Sequence, residues 1–464
     1  MSASLVVVSN RGPIAFATEA GSLVAHRAGG GLAATLGGGV RDADAVWVAA
    51  AMSEGDRMAA GTAGTANVLT AEGYNVRFVV VDEGEYRAYY DVVANQTLWF
   101  WHHHLFDPAR RPRLDRRTNA AWASFRAVNA AMAAAADEAA AEGATVLVHD
   151  YHLSLVPQML RGRRADVKIV HFSHTAFADR GFAGMLPRWM VEELLAGLAG
   201  ADACGFHSTR WRDAFLGVWD EVCAPTIPPR TFVAPAAPDR SEVDRVARSE
   251  ECDRERAALD AVVGDRRCIV RVDRIELSKN LLRGFWAFAE LLELHPEWRG
   301  RVHLVAVTYP SREGLAEYQG HRVEVEGAAD AINRAYGTAD WTPVILDTSD
   351  CFPRSVAALR RADVLLVNPV RDGLNLVAYE GPAVNERDAP LVLSHEAGAW
   401  DTLGPHAIGI NPFDVTATAD ALHAALSAPA EERERTAANL RAAAGERSPA
   451  DWLNDQIAAA RAER

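Results

Sequence analysis

Several short runs of this chain place charged and polar side chains where apolar, strand-like segments end, the position from which an open α/β sheet presents groups to a ligand. The densest is Arg271-Val-Asp-Arg274-Ile-Glu-Leu-Ser-Lys279-Asn280. Arg274 and Lys279 are two cations on one strand-to-helix turn, suited to neutralising a diphosphate leaving group; a solvated charged turn is the plain alternative. A second run, Arg371-Asp372-Gly373-Leu374-Asn375-Leu376-Val377, follows the strand Val364 to Val367, with Glu380 in the helix beyond. Its Gly-containing loop offers amides to phosphate, while Asp372 and Glu380 supply acceptors for hydroxyls. A carboxylate at a helix start also simply complements the helix dipole.

The N-terminal half carries its own set. Ser9-Asn10-Arg11 closes the first strand, and Arg27-Ala28-Gly29-Gly30-Gly31-Leu32 leads into a helix-like segment. Consecutive glycines ahead of a helix let backbone N–H groups approach a phosphate closely. His149-Asp150-Tyr151-His152 and His171-Phe172-Ser173-His174-Thr175 follow successive strands, and a carboxylate and imidazoles there suit the hydrogen bonding of sugar hydroxyls. The same histidines, and His102-His103-His104, are metal-ligand types, but their spacing gives no recognised zinc pattern, so neither a metal nor a cofactor is expected.

The elements that must position these groups alternate. Leu5 to Val8, Ala45 to Val48, Val76 to Val81, Thr145 to Val148 and Val167 to Val170 read as strands covered on both faces. Helical patterns such as Asn119 to Ala141 and Pro187 to Leu198 separate them. A Pro-rich stretch, Ala224 to Pro238, reads as an irregular connection. A second series follows: strands at Cys268 to Val272, Val302 to Val307, Val344 to Leu346, Val364 to Val367 and Leu391 to Leu393, with helices at Asn280 to His295 and Phe352 to Ala362. Alternation of this kind predicts parallel α/β domains. The expected division is 1–235, 236–447 and a C-terminal helix, 448–464, packing back on the first domain. Two such domains facing each other would enclose one deep cleft.

At 464 residues the chain exceeds one ordinary core. Its 48 Lys and Arg against 62 Asp and Glu give a net charge of −14, which disfavours nucleic acid and anionic membrane as partners. Five scattered cysteines suggest neither a disulfide framework nor a zinc site. No run reaches the length of a membrane span, and no basic n-region precedes Leu5, so the cytoplasm is the expected compartment. A homo-oligomer is left open.

Taken jointly, the motifs resemble the trehalose-6-phosphate synthase family. Ser9-Asn-Arg11, Gly30 to Leu32, Tyr90 to Trp99, His149 to His152, Arg274 with Lys279, and Arg371 to Val377 occur in that family's order. So do Trp298-Arg-Gly300, Tyr336-Gly-Thr338, Trp341-Thr-Pro343 and Asn411-Pro-Phe-Asp414. The resemblance spans Val6 to Asp414. It implies a metal-free retaining GT-B glycosyltransferase with two Rossmann-like domains, moving glucose from a nucleoside diphosphate glucose to glucose 6-phosphate. By the same resemblance, Gly30, Gly31, Arg274, Lys279, Asn375, Leu376 and Val377 hold the donor diphosphate and Glu380 its ribose. Asp372 and His174 bind hydroxyls of the transferred glucose, Asp150 sits at the acceptor near the reacting centre, and Arg11, Tyr90, Trp99 and Arg312 grip the acceptor. Asp150, His174, Arg274, Lys279 and Asp372 form the implied catalytic set.

The chain departs from the family's usual Arg-x-Asp-Tyr-x-Lys by carrying Glu276 and Leu277 between Arg274 and Lys279. It also has Tyr379 where many members have Lys, and Ala176 where many have Pro. The first departure looks like the actinobacterial branch, which uses guanosine donors, so GDP-glucose and UDP-glucose both stand as donors. Val384-Asn-Glu-Arg-Asp388 also resembles pseudoglycosyltransferases of the validoxylamine phosphate synthase type, which couple cyclitol phosphates. A catalytically inactive sugar-phosphate-binding regulator is the alternative from another class.

Overall fold

A computed structural model describes residues 2–19, 21–27, 31–41, 44–64 and 67–462 of the chain. The chain forms two units, Met1–Ala236 with Pro449–Arg464, and Ala237–Ser448.

Runs of β-branched residues build the first unit's sheet. β1 (Ala3–Ser9) lies between β7 (Ala140–His149) and β4 (Ala45–Ala50), all parallel. Val6, Val7, Val8 and all six residues of β4 are buried, which is why these runs read as continuously apolar. Beyond β7 come β8 (Lys168–Ser173), β9 (Ala203–Phe206) and β10 (Arg230–Val233), also parallel. On the other side, β6 (Tyr74–Val79) pairs parallel with β4 and antiparallel with the short edge strand β5 (Leu69–Ala71). The remaining strands, β2 (Ile14–Glu19) and β3 (Ser22–Arg27), form a separate antiparallel hairpin.

One helix face covers this sheet with Trp122, Phe125, Asn129, Met132 and Ala136 of helix Arg116–Ala139, each 0% exposed at helical spacing. Asp115 caps its start by accepting from the Arg117 N–H at 2.9 Å. The last helix, Pro449–Arg461, belongs to this unit and buries Trp452 completely.

One expectation needs correction. The Pro-rich stretch is not wholly irregular, because Arg230–Val233 inside it forms β10 at the sheet edge. The Tyr90 to Trp99 segment lies in a π-helix, Ala88–Trp99, a rare form that concentrates at functional sites. Thr97 Oγ1 donates to the Val92 carbonyl five residues back at 2.8 Å.

In the second unit the strands are β11 (Arg267–Arg274), β12 (Val302–Tyr309), β13 (Val344–Asp347), β14 (Val364–Val367), β15 (Leu391–Ser394) and β16 (Ile408–Ile410). Their spatial order is β13-β12-β11-β14-β15-β16, all parallel. This is the doubly wound nucleotide-binding order, 3-2-1-4-5-6, whose ligand crevice lies where the winding reverses, beyond the ends of the first and fourth strands. Those ends are β11 and β14. Phe285, Phe288, Leu291 and Leu292 of helix Leu281–Leu294 fill the layer beside the sheet.

Candidate active site

Beyond β11 and β14 the chain assembles the groups that the sequence singled out. Lys279 Nζ donates to Asp372 Oδ2 at 2.5 Å, and Asn375 Nδ2 donates to the same oxygen at 3.1 Å. Burial opposes the Lys279 charge, but the carboxylates of Asp372 and Asp273 outweigh it and hold its pKa above the ordinary value. The loop is tied by its backbone: the Val370 N–H donates to the Ser278 carbonyl at 2.8 Å and the Asp372 N–H to the Glu396 carbonyl at 3.0 Å. Asn375 takes φ of 77°, a conformation Asn tolerates better than most residues, and opens the helix Val377–Val384. Arg274 ends β11, half-buried. Glu380 sits in the first turn of that last helix, where burial pushes its carboxyl up to about 7.

A layer behind Lys279 escaped the sequence reading. Arg271, fully buried, donates to Asp273 Oδ2 and to the Lys279 carbonyl, at 2.8 and 2.9 Å from Nη2. Residues 271 and 273 share one face of β11, so their i, i+2 spacing was a legible signal for a buried ion pair. Gly284 lies against this pair: a Cβ there would lie 2.2 Å from Arg271 Nη1, so the guanidinium would have to shift.

In the first unit, Asp150 follows β7 with φ of 74° and ψ of 166°, a region nearly restricted to glycine and costing about 1–3 kcal/mol. Its surroundings enforce it. The Asp150 N–H donates to the Phe172 carbonyl at 2.8 Å, and the Asp150 carbonyl accepts from the Leu153 N–H at 3.1 Å and lies 3.1 Å from His171 Nε2. The carboxylate accepts from the His174 N–H at 3.2 Å and lies 3.6 Å from His152 Nδ1. Burial raises its pKa, yet His152 and His174 more than offset this, so the group is held well below the usual carboxylate range. A stacked series continues from there: His152 on Tyr90 at 5.8 Å, and Tyr90 on Tyr86 at 5.6 Å. Tyr86 and Tyr89 donate to Asn10 Oδ1, which fixes the turn that carries exposed Arg11.

Three of the expected residues already have protein partners. Trp99 is only 8% exposed and stacks on His103 at 3.8 Å. Arg312 is ion-paired with fully buried Glu276, which also accepts from Tyr318 Oη at 2.7 Å. His174 spends both ring nitrogens on other imidazoles, with Nε2 3.0 Å from His149 Nδ1 and Nδ1 3.3 Å from His207 Nε2. Gly30 lies outside the described residues, and Gly31 begins the helix Gly31–Val40.

The triplet His102 to His104 turns inward, with His104 stacked on Phe182 at 3.6 Å. Among the described residues, one group has metal-ligand types within reach of each other: His295, Glu297 and His423. Its two imidazoles stack in parallel at 3.6 Å, and His423 Nδ1 accepts from Trp298 Nε1 at 3.1 Å, so their lone pairs do not converge. No helix among the described residues is long and apolar enough to cross a membrane. The five cysteines are free thiols.

Two parallel α/β units, each presenting charged groups beyond the carboxyl ends of its strands, define a glycosyltransferase of GT-B type. The chain belongs to glycosyltransferase family 20, whose sequence profile matches residues 3–462. It is 34% identical over 396 residues to a trehalose-6-phosphate synthase of Mycobacterium avium, covering 80% of this chain and 78% of that one. Among solved structures it is similar to the E. coli trehalose-6-phosphate protein bound with UDP-2-fluoro glucose, with a TM-score of 0.86, 27% identity and 99% of each chain covered. It is also similar to the UDP-forming α,α-trehalose-phosphate synthase of Burkholderia xenovorans in complex with glucose 6-phosphate, with a TM-score of 0.84, 26% identity and coverage of 99% and 100%. The chain spans about half, 53%, of the length of some of the curated relatives it matches.

Proposed function

We propose that this chain transfers glucose from a nucleoside diphosphate glucose to the anomeric hydroxyl of glucose 6-phosphate, with retention, forming α,α-trehalose 6-phosphate. The observation that carries the reading is the Lys279–Asp372–Asn375 cluster at the crevice of a doubly wound sheet, in a chain whose relatives are named for this product. Lys279 and Arg274 stabilise the departing diphosphate as the C1–O bond breaks. Asp372 accepts from hydroxyls of the glucose, and the Leu376 and Val377 N–H groups at the helix start face the phosphates. The diphosphate takes the bonding electron pair, and its oxygen accepts the proton of the incoming hydroxyl on the same face of the sugar. Asp150 positions that acceptor, so the protein supplies orientation and charge and no nucleophile.

The structure gives the cyclitol alternative no support of its own, since the Val384 to Asp388 stretch is spent on scaffolding. Asn385 Nδ2 donates to the Leu359 and Ala362 carbonyls, Arg387 pairs with Asp363, and Asp388 with Arg441. Turnover with GDP-glucose and with UDP-glucose, each with glucose 6-phosphate and with a cyclitol phosphate, tests the reading. Absence of α,α-trehalose 6-phosphate with either donor overturns it.

Glu380 sets a pH dependence. Its carboxyl titrates near 7 in the free protein, against an ordinary value of 4.5. If ribose hydroxyls donate to the ionised form, binding lowers that pKa, so nucleotide affinity is greatest above pH 7 and weakens as pH falls below it. Titration calorimetry with the nucleoside diphosphate from pH 5.5 to 8.5 checks this, and Glu380→Gln should flatten the profile. For folding the direction is opposite: between about 4.5 and 7 the native state holds a proton that the unfolded chain has lost, so this group's contribution to stability falls as pH rises through that window.

The acceptor assignment makes a separate expectation. Arg11→Ala raises KM for glucose 6-phosphate by the equivalent of about 1.5–3 kcal/mol, the range of a charge-assisted hydrogen bond, with donor Kd unchanged. Arg312→Ala raises it less, because leaving Glu276 offsets part of what a phosphate contact would contribute. Equal movement of donor Kd and acceptor KM in Arg11→Ala would show that the subsites are misassigned.

A further inference from the structure

Four histidines, His149, His171, His174 and His207, crowd at and just beyond the carboxyl-terminal ends of β7, β8 and β9, and three of them form one hydrogen-bonded series. The Ala236 N–H donates to His207 Nδ1 at 3.2 Å. His207 Nε2 lies 3.3 Å from His174 Nδ1, and His174 Nε2 lies 3.0 Å from His149 Nδ1. A backbone N–H has no freedom of role: it is a donor, so His207 Nδ1 carries no proton and its Nε2 does. The consequence propagates. His207 Nε2–H donates to an unprotonated His174 Nδ1, His174 therefore carries its proton on Nε2, and that proton is donated to His149 Nδ1.

The opposite polarity would set a His207 Nδ1–H against the Ala236 N–H. An imidazolium at His174 fails for the same reason, because it would need His207 Nε2 as an acceptor. The series therefore has one direction, read from one end. Its far end, His149 Nε2–H, is buried and has no partner among the described residues, a defect of about 1–3 kcal/mol.

We propose that His207 is a positioning residue: it carries the hydrogen bond of the Ala236 N–H to His174 and fixes the His174 ring as its Nε2–H form. Ala236 is the last residue of the first unit before the chain enters the second, so the amide that sets the series belongs to the connection between them. His174 in turn donates its own N–H to Asp150. The tautomer fixed in this way makes His174 Nε2 a donor, the form required to hold a sugar oxygen when it exchanges its bond to His149. That last consequence rests on the function proposed above, whereas the tautomer itself is a property of the free protein.

Long-range proton–nitrogen correlation of the 15N-histidine-labelled full chain, assigned with His174→Gln, measures it directly. His174 should be protonated at Nε2 and bare at Nδ1. In His207→Phe the ring loses its donor and should become a mixture of tautomers, with kcat down about tenfold, at the lower end of what the loss of a hydrogen-bonding orienter of another histidine costs. His207→Gln keeps a planar donor and acceptor, so it should restore the wild-type signature and most of kcat. A wild-type His174 protonated at Nδ1 overturns the proposal even if no variant folds. So does an unchanged His174 signature in His207→Phe, whatever happens to turnover. A tautomer shift with turnover intact would confirm the series and remove His174 from the proposed transfer.

Discussion

Replacing Lys279 by Met should lower kcat about 10²-fold or more, the usual scale for losing one preorganised charge aimed at a transition state, while nucleotide Kd changes much less. The side chain is held at one place by Asp372, by its carbonyl's bond to Arg271, and by the αL turn at Asn280 that follows it. A cation fixed in this way stabilises charge that develops on the departing diphosphate without first having to reorganise. Met keeps the unbranched stem and much of the volume, so the effect isolates charge. The hydrogen bond from Asn375 to Asp372 does not involve the ammonium and is retained in the variant. Steady-state kinetics, with thermal unfolding as a control on folding, reads the effect. Turnover near that of the wild type would remove Lys279 from the leaving-group site.

Arg271→Met tests the layer behind it. Lys279 keeps its own charge there, so a loss in kcat with an intact fold would reflect orientation and not neutralisation.

The strands that carry these groups were legible because parallel strands covered on both faces must be apolar throughout, and β-branched runs such as Leu5 to Val8 or Val364 to Val367 have few other uses. Elements lacking that signature were missed. β9 reads Ala-Cys-Gly-Phe, with little strand propensity, so His207 did not stand out as a residue at a strand end. β10 was hidden by the prolines around it, and the π-helix Ala88–Trp99 has no sequence pattern that separates it from an α-helix. The Lys279–Asp372 pair was only half legible. Each residue was named from its own loop, but their contact depends on β11 and β14 being neighbours, a matter of topology and not of spacing. Glu276 illustrates the limit: in the sequence it stands out only as a departure from the family's motif, and it is the buried partner of Arg312.

Trp452→Ala should be strongly destabilising, at about 3–5 kcal/mol, the range for truncating a fully buried Trp. The indole is 0% exposed and its ring lies edge-on to Phe172 at 5.0 Å, with His174 at 5.5 Å, His149 at 6.0 Å and His207 at 6.1 Å. It thus closes the apolar side of the imidazole series, and the helix that carries it is anchored one residue later, where Leu453 packs against Gly39 so closely that a Cβ there would lie 2.7 Å from Leu453 Cδ2. Removing the ring opens a cavity among groups whose hydrogen bonds depend on the exclusion of water. The Trp452 N–H itself has no partner among the described residues, so Trp452→Phe gives up no hydrogen bond and should cost far less than the alanine. Hydrogen exchange separates this from general loosening: in Trp452→Ala, protection should fall in β7, β8 and β9, while β11 and β12 of the second unit keep theirs. Equal loss in both sheets would mean that the tryptophan supports the chain as a whole and not the histidine cluster, and a phenylalanine variant as unstable as the alanine would show that the indole nitrogen holds a partner after all.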